Sequence, residues 1–260
     1  MTAFKAVVSL VAFGALTAFQ KSLHGTDFPP LASFLSFFMS GFLGMNLCDI
    51  LLLHAFSTIG PARSLMIFSF QPIFMGILGY IVFAQSLSMN KCFAILFMIG
   101  CVFVVSYERF RKERRWEIQG PLFAFAGMLL DTVGILFTRY GFETNPQAGI
   151  FEGNFYRACG ALAGFLLFSP FLKLRLWKSF QKFSHSSRFL IVGASLLGTL
   201  VAASFHVAAV SRGNLAIVAA INGTGPVFAA IVDSIAFRRW PSPFLYLAFA
   251  LFAFGFYILL

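Results

Sequence analysis

Nine apolar stretches follow one another along this chain, at roughly 3–22, 30–54, 61–84, 90–107, 119–139, 148–170, 188–210, 214–237 and 242–260. A helix of about 20 residues spans the roughly 30 Å hydrocarbon core of a bilayer. In hydrocarbon no water is available for exposed backbone groups, so only helices or closed barrels survive there. Stretches this long select helices. Hydrophobic residues make up 59% of the chain and charged residues 11%. A soluble domain carries about 45–50% and about 25%. The excess is spread over all nine stretches, not gathered into one core. The sequence therefore predicts an all-α integral membrane protein of about nine transmembrane helices, with the lipid bilayer as its first partner.

The net charge of +10 points to topology, because the basic residues cluster between the apolar spans. Counted by side, 14 Lys and Arg fall on the side of Met1 and 4 on the other, with Arg157 inside a span and left out. The positive-inside rule places the richer side in the cytoplasm. The expectation is a multi-pass protein of the cell's inner membrane, N-terminus cytoplasmic and C-terminus outside. No aromatic-basic groove supports a nucleic-acid partner. Cys48, Cys92, Cys101 and Cys159 all sit in apolar spans without a CxxC pair, which reads as free thiols and not as a metal site. Phosphate-cradling glycine loops, HExxH and GxSxG are all missing, so neither a cofactor nor an enzyme activity is expected. The first span is read as a retained helix, since no small-x-small cleavage site follows it.

The chain also repeats itself. Pro72 and Pro226 lie 154 residues apart inside apolar spans, and at that offset Ala55, Ser57, Ala62, Ile67, Phe74, Ile77, Ile81, Phe83, Ser88 and Ala94 meet identical residues. Span one aligns with span six and span three with span eight. Five crossings separate the copies, an odd number, so the second copy is upside down relative to the first. Inverted repeats with interrupted helices mark the binding site of many transporters. The copies are expected at 1–108 and 117–260, and the first is shorter by about one helix. The fold class is thus a five-plus-five arrangement lacking its first helix. A homodimer in which two chains complete each other is one arrangement this admits.

This pattern resembles the EamA-like family of the drug/metabolite transporter superfamily. The residues that carry the likeness are the alanine-rich run from Ala216 into Pro226, its weaker copy from Ala62 to Pro72, and the basic residue Arg157 in Asn154-Phe155-Tyr156-Arg157-Ala158, matched by Lys5. The resemblance implies two inverted helical halves around a central cavity and a small-molecule substrate. Where that family often has a Gly-Glu pair after the proline helix, this chain has Ala84-Gln85 and Arg238-Arg239. Export by alternating access around a midplane site is the expected function. A flippase of a lipid-linked substrate and a non-transporting bundle are the alternatives.

Site candidates follow from what membrane interiors tolerate. A proline within a helix removes a donor and pushes away the carbonyl four residues earlier. Here those carbonyls belong to Phe68 and Asn222, so Pro72 and Pro226, with Gly223 and Gly225, are expected to form kinked walls of a substrate path. An ordinary membrane-helix kink is the plain alternative. Gln71 and Asn222 offer amides beside the prolines. Ionisable groups within spans are functional candidates by default. Asp131, near the middle of span five, suits proton coupling or a cationic substrate, or else a structural hydrogen bond. His206 could titrate near neutral pH. Arg157 could meet an anionic group, snorkel, or pair with Glu152 or Asp131. Asp49 lies deep in span two. Gly41-x-x-Gly44 and Gly160-x-x-x-Gly164 read as close helix packing.

Overall fold

The structure, a computed structural model, describes residues 2–24, 29–110, 119–172, 193, 196–236, 240 and 242–259. Among these residues every regular element is a helix. Leu31–Pro61, Arg63–Phe83 and Gln119–Thr144 are each long and apolar enough to cross a membrane, and five shorter apolar helices accompany them. The basic connections near 111–118 and 173–192, and with them the start of span seven, lie outside the described residues.

The helices fall into two compact units, and each unit draws on both halves of the sequence. The first comprises residues 1–49 and 133–212, the second residues 50–132 and 213–260. The units are therefore not the sequence repeats.

In the first unit, α1 (Thr2–His24) packs on α7 (Ile150–Leu172), and α7 also packs on α2 (Leu31–Ser40). Past Ser40, α2 widens into a π-helical turn, Gly41–Leu47, before α3 (Cys48–Phe68) begins. A second π turn, Leu197–Ala202, leads into α8 (Ala203–Arg212). The two π turns overlap at the same 154-residue offset that pairs the prolines, and Gly44 and Gly198 occupy matching places in them. Such turns commonly mark functional positions in helices.

Glycines clasp the first π turn. A Cβ on Gly41 would strike the Arg157 carbonyl, and one on Gly160 would strike that of Phe38. Gly134, in the C-terminal half of α6 (Gln119–Thr144), lies against the backbone of Gly44. Small residues let backbones approach where no side chain intervenes. Phe37, Phe142 and Val207 form the apolar core beside this contact, with Phe37 and Phe142 edge to face at 4.8 Å. Arg139 bonds the carbonyls of Val210 (3.2 Å) and Ser211 (2.9 Å), closing the C-terminal end of α8.

The second unit holds the rest of α3, α4 (Gln71–Phe83), α5 (Met89–Phe110), residues 119–132 of α6, α9 (Leu215–Gly223), α10 (Gly225–Ala236) and α11 (Pro243–Leu259). Within α3, Gly60 takes φ 82° and ψ 159°, and Pro61 follows it. Only glycine adopts that conformation without strain, and proline is pre-set for a first helical turn. This one residue divides the second span from the third. α5 lies along α11, where Gly255 meets the Ala94 carbonyl and Phe97 meets Phe254 edge to face at 4.8 Å.

α4 packs on α9 through Gly76 against Ala216 and Gly79 against Leu215. The start of α9 is well capped. Asn214 accepts from the amides of Ala216 (3.2 Å) and Ile217 (3.4 Å), and Gln85 Oε1 accepts from Leu215 N at 2.9 Å. These bonds satisfy three of the donors a helix start leaves open.

α4 ends at Ala84, which sits in the left-handed region at φ 51° and ψ 29°. Gln85 N then reaches back to the Gly79 carbonyl at 3.1 Å. An L side chain in that region costs about 1–2 kcal/mol, whereas glycine visits it freely. Ala84→Gly should therefore raise stability by about 1 kcal/mol. A higher melting temperature of the detergent-solubilised protein is the expected result, and an unchanged or lower one counts against the strained cap.

Candidate functional site

Each proline marks an interruption inside one apolar span: a helical run stops just before it and the next starts within one or two residues. The chain is helical to Phe68, turns at Ser69 and Phe70, and resumes at Gln71. In the second copy it is helical to Gly223, turns at Thr224, and resumes at Gly225. Each proline stands in the first turn of the new helix, where its missing donor is no loss.

The two breaks share one backbone geometry. Phe70, two residues before Pro72, has φ −82° and ψ −7°, and Thr224, two before Pro226, has φ −77° and ψ −3°. Phe70 N donates to Ile67 O (3.2 Å) and Ile73 N to Phe70 O (3.0 Å). The equivalents are Thr224 N to Ile221 O (3.1 Å) and Val227 N to Thr224 O (2.9 Å). Close by, Ser69 Oγ bonds Met66 O and Thr224 Oγ1 bonds Ile221 O, each at 2.6 Å.

Of the sequence candidates, Gln71, Asp131 and Asn222 lie in the second unit with both breaks. The structure joins two of them: Gln71 Nε2 donates to Asp131 Oδ2 at 2.7 Å. Gln71 is buried and Asp131 half-buried. An amide N–H aimed at a carboxylate is a charge-assisted bond, shorter and stronger than a neutral one. Phe74, one turn past Gln71 on the same face, meets Phe125 of α6 edge to face at 5.7 Å. Asn222 is exposed on its unit, next to Gly223 and Gly225, where an added Cβ would meet open space.

Asp49, Arg157 and His206 belong to the first unit. Arg157 is buried; its Nε donates to Ser40 Oγ at 3.1 Å, and its Nη1 reaches Asn154 Oδ1 at 3.5 Å. Ser40 in turn shares a 2.6 Å hydrogen bond with Thr138 Oγ1. His206 is half-buried on α8, within electrostatic range of Arg157. Asp49 is half-buried in the first turn of α3. The partners Ser40, Thr138 and Asn154 escaped the sequence reading because small polar residues inside a helix carry no signal of their own. Gln85, marked in the sequence only as a departure from the family's Gly-Glu pair, anchors the start of α9.

A cavity of about 550 Å³ opens on the second unit, lined by Ile73, Ile77, Tyr80 and Ile81 of α4 with Cys92 and Leu96 of α5. At 100° per residue, these α4 positions lie on the side opposite Gln71, while Pro72 beside it also lines the cavity. The cavity is nearly all apolar and is separate from the carboxylate. Among the described residues no group of His, Cys, Asp and Glu is arranged to hold a metal.

The profile of the EamA-like transporter family matches residues 1–107 and 118–260. The chain belongs to the EamA-like transporter family. It is thus a multi-pass membrane protein of the drug/metabolite transporter superfamily, whose EamA members are transporters and not enzymes. No curated protein matches the sequence. A solved structure described as "Crystal structure of protein" superposes with a TM-score of 0.67 at 15% identity, covering 99% of this chain and 96% of its own. That likeness is one of fold.

Proposed function

We propose that this EamA-like protein exports a small solute across the cell's inner membrane by alternating access, with the N-terminus in the cytoplasm. Asp131 and Gln71 form the core of its substrate site. The observation that carries this reading is the 2.7 Å bond between them, made in the first turn after a helix break. An ionisable group in a membrane helix is retained at a cost and marks substrate or ion pathways. Interrupted helices supply the unpaired backbone groups that transporters use near the midplane. Pro226 and Asn222 contribute the matching break in the same unit. The inside orientation rests on the 14-to-4 bias of basic residues. Arg157, with Ser40 and Asn154, serves the packing of the first unit.

The test is flux. The purified chain in liposomes, loaded in turn with pools of cationic, neutral and anionic metabolites, should release one class faster than protein-free liposomes. Asp131→Ala should slow that release by on the order of a hundredfold, the scale of losing a positioned charged contact. Release no faster than from empty liposomes for every pool would sink the proposal.

A further inference from the structure

We infer that the open face of the second π turn and α8 is where a second copy of this chain docks, the two copies meeting small residue to small residue as a parallel pair.

The two π turns hold matching places in the repeat and have opposite surroundings. In the first, Gly44 is buried, with the backbone of α6 pressed on it at Gly134. In the second, the matching Gly198 is exposed, and a Cβ there would meet open space. α1 packs on this turn and α7 on α8, which leaves Val207 and Val210 buried. What remains outward is Leu197, Gly198, Val201, Ala202, Phe205 and Ala209. Steps of three and four residues place these on one helix face.

The form of that face favours a helix over lipid tails. Gly198 and Ala202 make a small-xxx-small pair, a flat furrow edged by the exposed Leu197, Val201 and Phe205. In hydrocarbon, helices gain nothing by hiding apolar surface, and close packing over small residues is what draws them together. The first copy shows the fit within this chain: glycine of α6 against glycine of the π turn, backbone to backbone.

A second copy supplies the matching surface. Gly41, Gly134, Gly160 and Gly164 are already closed against their own unit, whereas the Gly198 stripe is open and self-complementary, with small residues between ridges on either copy. A surface that matches itself closes into a two-fold dimer. Two copies inserted the same way up are related by an axis along the membrane normal, so their α8 helices run parallel. Small-xxx-small pairs favour such a parallel contact, at a crossing of about −40°.

The experiment counts subunits. The full-length chain carrying one fluorophore is placed in liposomes over a series of protein-to-lipid ratios, and photobleaching steps are read from single vesicles. The wild type should pass from one step to two as its density in the membrane rises. Gly198→Leu and Ala202→Leu, each monodisperse on size exclusion, should weaken the pairing at least about tenfold, because the added side chain holds the two backbones apart. Within one chain the side chain at 198 has room. Ala250→Leu, at an exposed position of α11, should leave the pairing unchanged. Wild-type chains that stay single at every density overturn the inference and leave the face to lipid or to the helix of another protein. Dimers that persist in both furrow variants overturn it too, since another surface then joins them, and so does an equal loss in Ala250→Leu.

Discussion

Gly160→Leu should yield almost no folded protein, whereas Gly223→Ala should be tolerated. The Cβ that leucine adds at 160 points at the Phe38 carbonyl and the Phe42 amide nitrogen. Those are backbone atoms of α2 and the π turn, and no rotamer change moves them aside. Gly41 faces the Arg157 carbonyl in the reciprocal direction, so separating the helices to admit leucine also opens that contact. Overpacking by a few methylenes costs about 1–3 kcal/mol where side chains can yield, and more where they cannot. Total stabilities of about 5–15 kcal/mol leave little reserve for that. At Gly223 an added Cβ meets open space. Fluorescence-detected size exclusion measures both variants. A wild-type peak for Gly160→Leu would show that α7 does not press on the π turn as described.

Arg157→Met should lower stability by about 3 kcal/mol and leave the class of solute unchanged. Methionine keeps the length and apolar stem of the side chain, so the packing loss is small. The bonds to Ser40 and Asn154 are among the interactions that disappear. Hydrogen bonds to a charged group contribute about 1.5–3 kcal/mol each, and the 3.5 Å contact to Asn154 is the weaker of the two. Ser40 and Thr138 keep their mutual bond and limit the loss. Arg157→Lys should restore little, because an ammonium cannot fork to two acceptors as a guanidinium does. Thermal melting paired with liposome flux separates the roles. An unchanged melting temperature with flux lost would make Arg157 a solute contact.

The helices were legible because each span must be apolar for its full length, and hydropathy reads that directly. The division at Gly60 falls between spans two and three because glycine followed by proline ends one helix and primes the next. The π turns were not legible. A wider turn over seven residues leaves no periodic trace, and Gly41 and Gly44 looked like packing glycines alone. The prolines showed where the helices change, but not that they stop, since a stop depends on which amide bonds which carbonyl. Asp131 stands out by the cost of an acid in a membrane, and Gln71 as an amide beside Pro72. Their pairing, between positions 60 residues apart, is a property of packing that no local pattern encodes. The bonds of Arg157 to Ser40 and Asn154 likewise depend on packing, because small polar residues inside a helix carry no signal of their own.

The twin breaks carry a consequence for how such a chain diverges after duplication. Phe70 and Thr224 hold nearly the same backbone angles, yet the residues that follow them are Gln71 and Gly225. The joint is common to both copies, and the side chains upon it differ. One copy can then accumulate the groups that choose a cargo while the other changes without penalty to recognition. Variation among descendants of this gene should therefore fall unevenly, sparing Gln71 and drifting at Gly225, although the two places fold alike.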